Sequence, residues 1–337
     1  MLSAVMPAVF PDAAATAPHI YHLNFLQAIV IGLIQGFFEL FPLSSLGHTV
    51  LIPSWIGGTW ATLVRQESLA ESPYLAFIVG LHLANAVALL AFYLPEWARI
   101  IAGFFRSLIR RRIENDTERL AWLIVIATIP VGLLGLRFEH QFRTLFAKPL
   151  AAAIFLCCNG VILFAGEWYR RHHLATAGQL SPAPPPRATA RATRFRDRTM
   201  VSIDRDAIGE LSRIGWLSTL IIGASQALAL LAGISREGVV MVGGLFRGLT
   251  NENAMRFAFL LSTPVIFAAG ALKVPDLAGP HGNGIRGQVA AGSLAAVLTS
   301  LLALAFLTRY FKTRTLIPFA VYSLAFGLAS VIRFGLF

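Results

Sequence analysis

The sequence predicts an all-α polytopic membrane protein with six transmembrane helices, two re-entrant broken-helix hairpins and an inverted-topology repeat. Of its 337 residues, 56% are hydrophobic and only 13% are charged, whereas about a quarter of the residues in a soluble domain are charged. Six apolar runs are long enough to cross a bilayer, and two further apolar stretches are interrupted by Gly, Pro and polar residues. These three observations exclude a water-soluble enzyme.

The six predicted spans have roughly the length that a bilayer requires, about 20 residues, although the second is short. They cover residues 74–94, 121–136, 150–166, 255–274, 289–308 and 316–334. The two interrupted stretches, 25–57 and 217–248, are expected to enter the membrane as hairpins. Irregular backbone at that depth is tolerated only where it lines a protein-enclosed or wet cavity, so a site is expected at the hairpin tips.

The positive charges divide the loops into two groups. The loops at 99–119, 167–213 and 309–314 contain 18 Lys and Arg residues, and the loops at 137–149 and 275–288 contain four. Because cytoplasmic loops are enriched in Lys and Arg, the first group is expected on the cytoplasmic side. The net charge of +11 is therefore attributed to a membrane partner, and no nucleic-acid partner is expected.

The two interrupted stretches match each other without a gap at an offset of 191 residues. Both contain the pattern Ile-Gly-x-x-Gln-x8-Ser-x-x-Gly, which begins at Ile31 and at Ile222. Each stretch precedes three spans of opposite predicted orientation, as in the inverted repeats of membrane proteins. The expected organisation is an N-terminal tail, a first repeat, an Arg- and Pro-rich cytoplasmic linker and a second repeat, at 1–24, 25–166, 167–213 and 214–337.

The first tip, residues 32–48, begins with two polar side chains on one helix face. Gln35 and Glu39 are one helical turn apart, and Pro42 is expected to end their helix. A lone carboxylate in a membrane helix is costly, so Glu39 is a candidate ligand for a cation that bridges phosphate oxygens.

A second helix is expected to start just after this break. Ser44 is a good N-cap, which places Ser45 in the first turn and His48 three residues later. The free backbone amides at such a helix start suit a phosphate group. Plain capping is the alternative role for Ser44, and a satisfied core imidazole is the alternative for His48.

The second tip, residues 230–244, has a similar plan and the opposite charge. Gly233 allows a sharp break, Ser235 can cap the next helix, and Arg236 lies in its first turn. The planar guanidinium matches phosphate oxygens. Two interpretations of Arg236 stay open: it binds an anionic ligand, or it forms a structural ion pair with Glu39 or Glu237.

Together the tips supply a carboxylate, a Ser and His pair, an Arg and two helix starts. This combination is typical of phosphoryl transfer, in which the protein mainly positions anionic oxygens and offsets their charge. From the residues alone, the prediction is an intramembrane phosphate site.

At these residues the sequence resembles the undecaprenyl-diphosphate phosphatase family, also called the bacitracin-resistance family. Members carry a Glu-rich helix, a Pro-x-Ser-Ser-x-Gly-His tip and a Pro-Gly-x-Ser-Arg-x-Gly tip, whose counterparts here begin at Gln35, Pro42 and Ala232. The stretches GGLFRGLTNENAMRFAFLLSTPVIF and IPFAVY are also similar to the family. The likeness covers about 25–334 apart from the Arg-rich loop.

The resemblance implies a multi-pass enzyme of the bacterial plasma (inner) membrane that removes the terminal phosphate from a C55 polyprenyl diphosphate. It also implies an active site toward the periplasmic or outer leaflet and a divalent cation, Mg or Ca. Glu39 would serve the cation or the reacting water, and Ser45 would be the nucleophile or a phosphate contact. His48 would be its proton partner, and Arg236 would clamp the diphosphate.

Further residues are expected to bind the substrate because of their places in or near the two tips. They are Gln35, Ser44, Gly47, Ser235, Glu237 and Gly238, and His82 of the predicted span 74–94 is added to them. Partners are expected to be the polyprenyl diphosphate lipid and the membrane, with a homodimer left open.

Three positions depart from the family pattern: Gln35 replaces the usual first Glu, Ala232 the usual Pro, and Glu237 the usual small Ser. Glutamine cannot act as a carboxylate base, so one hypothesis is that Glu237 supplies the missing charge from the opposite tip. Two other functions compete with the phosphatase. A polyprenyl-phosphate transporter or flippase would use the same pocket, and a membrane scaffold would contain only internal ion pairs.

Overall fold

A computed structural model of the protein describes residues 23–67, 73–146, 148–176, 205–279 and 284–336. Within these ranges all regular elements are helical, which confirms the predicted all-α class. The α-helices in chain order are α1 Phe25–Leu40, α2 Ser45–Ile56, α3 Gly58–Glu67, α4 Pro73–Phe92, α5 Leu94–Arg110, α6 Asp116–Phe146, α7 Pro149–Thr176, α8 Arg205–Ser212, α9 Trp216–Ser225, α10 Arg236–Phe246, α11 Asn251–Ala278, α12 Arg286–Tyr310 and α13 Ile317–Gly335. Nearly all of the predicted N-terminal tail and the centre of the predicted linker lie outside the described residues.

Five of these helices, α6, α7, α11, α12 and α13, are long and apolar enough to cross a membrane. Two bent helix pairs could add further crossings: α4 with α5, and α8 with α9 and the 3-10 helix Gln226–Leu230 that follows it. The six predicted apolar runs fall in the five long helices and in α4. The chain is therefore a multi-pass membrane protein.

Helix α6 is 31 residues long, about twice the apolar run that predicts it. Its start is set by hydrogen bonding, because the Asn115 side chain accepts the Glu118 backbone N–H at 3.0 Å. A capped polar turn extends a helix beyond its apolar part. Hydropathy alone therefore underestimates the length of α6.

Both interrupted stretches contain a break in the structure. After α1 the chain turns at residues 41–44, and α2 begins with Ser44 as its N-cap. After the 3-10 helix the chain turns at 231–235, and α10 begins with Ser235 as its N-cap. These two breaks lie within the first tip, residues 32–48, and the second tip, residues 230–244.

The helix that leads to each tip packs on another helix through a glycine. A Cβ on Gly32 of α1 would lie 2.2 Å from the carbonyl oxygen of Gly292 on α12, and a Cβ on Gly223 of α9 would lie 2.3 Å from that of Ala127 on α6. No larger residue fits such a backbone contact. Gly32 and Gly223 are equivalent at the offset of 191, which supports the division into two repeats. That division stays a prediction.

Candidate active site

The two tips are joined by direct hydrogen bonds. The Ser44 hydroxyl oxygen accepts the Gly233 backbone N–H at 3.0 Å, and the Ser235 hydroxyl donates to the Phe41 carbonyl oxygen at 3.3 Å. A Cβ on Gly47 would lie 2.9 Å from the Cα of Gly233. The tips therefore approach within backbone contact, and glycine at these positions makes the approach possible.

A buried asparagine of α7 ties the same two tips together. The Asn159 amide nitrogen donates to the Pro42 carbonyl oxygen at 3.0 Å, and its oxygen accepts the Ser235 backbone N–H at 2.9 Å. The amide nitrogen also donates to the Ser323 hydroxyl of α13 at 3.2 Å. One side chain thus fixes the distance between the tips.

Glu39, at the end of α1, is the centre of the site and is only 3% exposed. Its Oε2 accepts the Ser45 hydroxyl and the Gln35 amide nitrogen, the latter at 2.9 Å. Its Oε1 is 3.7 Å from Nη2 of Arg236, and its Oε2 is 3.5 Å from Nδ1 of His82. The structure therefore brings together five of the predicted site residues around one carboxylate.

Arg236 is the first residue of α10 and reaches from the second tip to Glu39. Its side chain is 18% exposed, so it is largely but not completely shielded. The Nη1 atom is buried and has no hydrogen-bond partner among the described residues. A guanidinium with an ion pair of 3.7 Å and an unused donor can still bind the oxygens of an anion. Both interpretations of Arg236 therefore describe part of its geometry.

Glu237 places a second buried carboxylate beside the first. It is 3% exposed, and its Oε1 accepts the Ser262 hydroxyl of α11 at 2.8 Å. It directly follows Arg236 in the first turn of α10. The hypothesis that it replaces a carboxylate missing at position 35 stays a prediction.

His48 forms its hydrogen bonds with groups other than the Ser45 hydroxyl, and its predicted role as proton partner of Ser45 stays a prediction. Its Nδ1 is 2.7 Å from the Ser44 carbonyl oxygen, and its Nε2 is 3.1 Å from the Tyr322 hydroxyl of α13. The ring also stacks on Phe38, with 3.7 Å between ring centroids. Both nitrogens are therefore engaged elsewhere, and in the described structure the hydroxyl of Ser45 donates to Glu39.

His82 is the imidazole at the centre of the site. Its Nδ1 is 3.1 Å from the Gln35 amide nitrogen as well as 3.5 Å from Glu39. Sequence reasoning gave it a minor place, and it missed Asn159 and Tyr322 altogether. All three are lone polar side chains in apolar spans, a signal that often marks a functional position in membranes.

A divalent cation would have few protein ligands here. Among the described residues, no group of three His, Cys, Asp or Glu side chains could hold a metal ion. The Gln35 Oε1 atom, however, is buried and has no hydrogen-bond partner in the part of the chain that the structure describes. Oxygen is the donor that Mg²⁺ and Ca²⁺ prefer. Mg²⁺ is often held by one or two carboxylates together with substrate phosphates. Glu39 and Gln35 fit a cation of that kind.

Comparison with known families agrees with the geometry. The family described as bacitracin resistance protein BacA matches residues 28–329. This chain belongs to the BacA family. Its relatives include undecaprenyl-diphosphatase 2 of Frankia alni, 52% identical over 94% of this chain and 99% of the relative.

Other BacA relatives carry the same kind of name. The undecaprenyl-diphosphatase of Mycolicibacterium paratuberculosis is 51% identical over 94% of this chain and 99% of its own length. Undecaprenyl-diphosphatase 2 of Chromobacterium violaceum is 36% identical over 92% of this chain and 99% of its own. The similarity therefore covers both tips and all the long helices.

Proposed function

We propose that the chain is an integral membrane phosphatase that hydrolyses undecaprenyl diphosphate to the monophosphate and inorganic phosphate. The observation that carries the proposal is the hydrogen bond from the Ser45 hydroxyl to the buried Glu39 carboxylate, beside Arg236. A hydroxyl held by a base next to a guanidinium suits attack on a phosphoryl group. The names of the BacA relatives support the lipid substrate, and the reaction would recycle the carrier lipid of cell-wall synthesis.

The reaction follows from these three side chains. Ser45 Oγ attacks the terminal phosphorus while its proton passes to Glu39, and the bond from that phosphorus to the bridging oxygen breaks. The polyprenyl monophosphate leaves with the proton from Glu39, and the terminal phosphoryl group stays on Ser45. Water then attacks the phosphoserine while Glu39 takes a proton from the water and passes it to Ser45 Oγ, which releases inorganic phosphate and restores the hydroxyl.

Arg236 stabilises the charge on the terminal phosphate through its unused Nη1 donor and its Nη2 atom. Gln35 and His82 hold the Glu39 carboxylate in place, since both contact its Oε2 atom. His48 shapes the first tip through the Ser44 carbonyl oxygen. A cation bound by Glu39 and Gln35 would neutralise phosphate oxygens.

Phosphate release from farnesyl diphosphate by the purified protein in detergent tests this function, with and without a chelator. We expect release by the native chain and a decrease of at least about 100-fold in Ser45→Ala, as is typical for loss of a nucleophile or its proton transfer. The matched control is Ser54→Ala, which removes another hydroxyl of α2 that bonds only to the Val50 carbonyl oxygen. Binding of the diphosphate without phosphate release would instead support the transporter.

The nucleophile can be tested separately. If Ser45 carries the phosphoryl group, a rapid acid quench of the native enzyme with substrate labelled in the terminal phosphate leaves label on the protein. The label is absent in Ser45→Ala. Direct attack by water would leave the native protein unlabelled while phosphate is still released.

The orientation rests on the distribution of basic residues. The proposed orientation has the loops at 99–119, 167–213 and 309–314 in the cytoplasm, because they are rich in basic residues. The resemblance to the family supports a site that opens toward the outer leaflet. A membrane-impermeant maleimide applied to intact cells should label Lys148→Cys and leave Lys312→Cys unlabelled, relative to the native chain. The reverse labelling pattern would invert the proposed orientation.

A homodimer stays a prediction, which the mass of the detergent-solubilised protein tests.

A further inference from the structure

Helix α5 has three faces with different chemistry. The face toward the protein is buried and includes Trp97, Ile100, Gly103 and Ser107. A second face exposes the large apolar side chains of Leu94, Ile101, Phe105 and Leu108, each 47% to 57% exposed. The third face carries Arg99, Arg106 and Arg110, which are 7 and 4 residues apart and therefore form one stripe along the helix. We call these three residues the arginine stripe.

The direction of α5 places these faces relative to the bilayer. Helices α4 and α5 meet at 86° across a short break. Because α4 is an apolar span, a helix at a right angle to it lies along the membrane surface. The Trp122 indole N–H of α6 donates to the Ser107 hydroxyl at 2.9 Å, so α5 is held against the first turns of that span. This is the geometry of an interfacial amphipathic helix.

The arginine stripe is only partly neutralised by the protein. Arg99 pairs with Glu96 at 3.0 Å, and Arg110 pairs with Glu114, but both arginines keep more than 40% of their side chains exposed. Residues 94–112 contain five arginines and one acidic residue. An open cleft of about 580 Å³ is bordered by two arginines and one carboxylate, Arg99, Arg106 and Asp116. The stripe therefore presents positive charge at the level of lipid headgroups.

An apolar groove of about 560 Å³ lies on the other side of α5, against α6. Trp97, Phe104 and Phe105 border it from α5, and its far end reaches Leu136 of α6. Between the groove and the arginine stripe, the outer surface of α5 carries the exposed side chains of Ala98, Ala102 and Ile109. Such a groove beside an interfacial helix has the length and lining of an acyl-chain site.

We propose that α5 is a docking surface for an anionic phospholipid, whose phosphate contacts the arginine stripe and whose acyl chain occupies the groove. Charge complementarity identifies the occupant, since a zwitterionic lipid gains little from the stripe while each basic residue near an anionic surface contributes attraction. This surface is separate from the two tips, and the proposal does not depend on the phosphatase reaction.

Lipid retention after purification tests the proposal. We expect the native chain to retain dioleoyl phosphatidylglycerol in preference to dioleoyl phosphatidylcholine by about tenfold or more, as measured by native mass spectrometry. The triple variant Arg99→Gln, Arg106→Gln and Arg110→Gln should lose most of that preference. The corresponding Arg→Lys variant keeps the charge and should keep the preference.

A matched control removes the same charge elsewhere. Arg309 in the last turn of α12 and Lys312 and Arg314 just after it are exposed. Their triple Gln variant should keep the preference. If the stripe and control variants lose the lipid preference equally, the preference depends only on the net charge of the protein, and the proposal is overturned. An unchanged preference in the stripe variant would also overturn it.

The groove is tested without touching the arginines. Gly132 borders the groove, and a Cβ there would meet no atom within 4 Å. Gly132→Leu should therefore fold normally, as checked by its thermal unfolding without added lipid, and should retain less phosphatidylglycerol. Full retention by a folded Gly132→Leu protein would exclude the groove as the acyl-chain site.

Discussion

The first and second tips share a backbone plan but carry opposite charges. In the first tip the Ser44 hydroxyl accepts the Gly47 backbone N–H at 3.3 Å, and in the second the Ser235 hydroxyl accepts the Gly238 backbone N–H at 3.1 Å. These serines and glycines are equivalent at the offset of 191. Their shared role is to start a helix inside the membrane, so the shared residues form the scaffold.

The residues that differ between the halves carry the chemistry. At the same offset, Glu39 corresponds to Leu230, and Ser45 corresponds to Arg236. In the proposed mechanism, one half supplies the base and the hydroxyl, and the other supplies the arginine. A duplicated hairpin becomes a site for an anion only because its two copies have diverged at these few positions.

Loss of the base should have the largest effect. We expect Glu39→Gln to lower kcat/KM for farnesyl diphosphate by about 1,000-fold, within the range typical of general base removal. The matched control in the second half is Glu237→Gln, for which we expect a decrease of less than about tenfold. If the two variants lose activity equally, the carboxylates of both halves share the role and the comparison fails.

Replacement of Arg236 should have the next largest effect on the kinetics. Arg236→Lys keeps the charge but loses the planar pair of donors, so we expect KM to rise by about 10- to 100-fold. Steady-state kinetics with varied substrate measures this rise, with Arg247→Lys at the end of α10 as the control. An unchanged KM would mean that Arg236 serves only its ion pair with Glu39.

An added side-chain atom at the close helix contacts should lower the stability of the fold by a similar amount in the two halves. Gly32→Ala and Gly223→Ala each introduce a Cβ against a carbonyl oxygen, and we expect each to destabilise the fold by about 1 to 3 kcal/mol. Gly135→Ala on α6 is the control, since no atom lies within 4 Å of its added Cβ. Thermal unfolding in detergent measures all three. A large loss in only one half would show that the contacts are not equivalent.

The two serine N-caps should differ slightly in their contribution to the stability of the fold. Removing an N-cap hydroxyl costs about 1 kcal/mol, and Ser44 also accepts the Gly233 N–H and has a positive φ of 68°. We therefore expect Ser44→Ala to destabilise the fold more than Ser235→Ala in the same unfolding measurement. The opposite order would place the main connection between the tips at Ser235.

The smallest expected effect concerns the substituted glutamine. If Glu237 compensates for Gln35, the variants Gln35→Glu and Glu237→Ser should be coupled in metal-dependent activity by about 0.5 kcal/mol or more. The single and double variants are compared at several Mg²⁺ concentrations. Additive effects would remove the hypothesis.

The spans and the tips could be predicted because their signals are local. Apolar runs report spans by length, and Pro42 and Gly233 mark breaks within a few residues. The contact between Glu39 and Ser45 joins residues only six positions apart, so the first tip alone suggested its chemistry.

The rest depended on distant packing. His48 meets Tyr322, which is 274 residues later in the chain, and no local pattern could identify that partner. The 86° bend before α5 follows from the packing of α5 on α6. From the sequence, the basic residues of α5 predict only an ordinary basic loop. Sequence reasoning therefore found the residues of the site more readily than their partners.

The hydrogen bond between Ser44 and Gly233 has a consequence for biosynthesis, because it joins residues 189 positions apart. At ribosomal speeds of about 5 to 20 residues per second, roughly 10 to 40 s pass between the synthesis of the first tip and the synthesis of the second tip. During that interval the carboxylate of the first tip has no arginine opposite it. The newborn enzyme therefore becomes competent only after the second hairpin has been inserted.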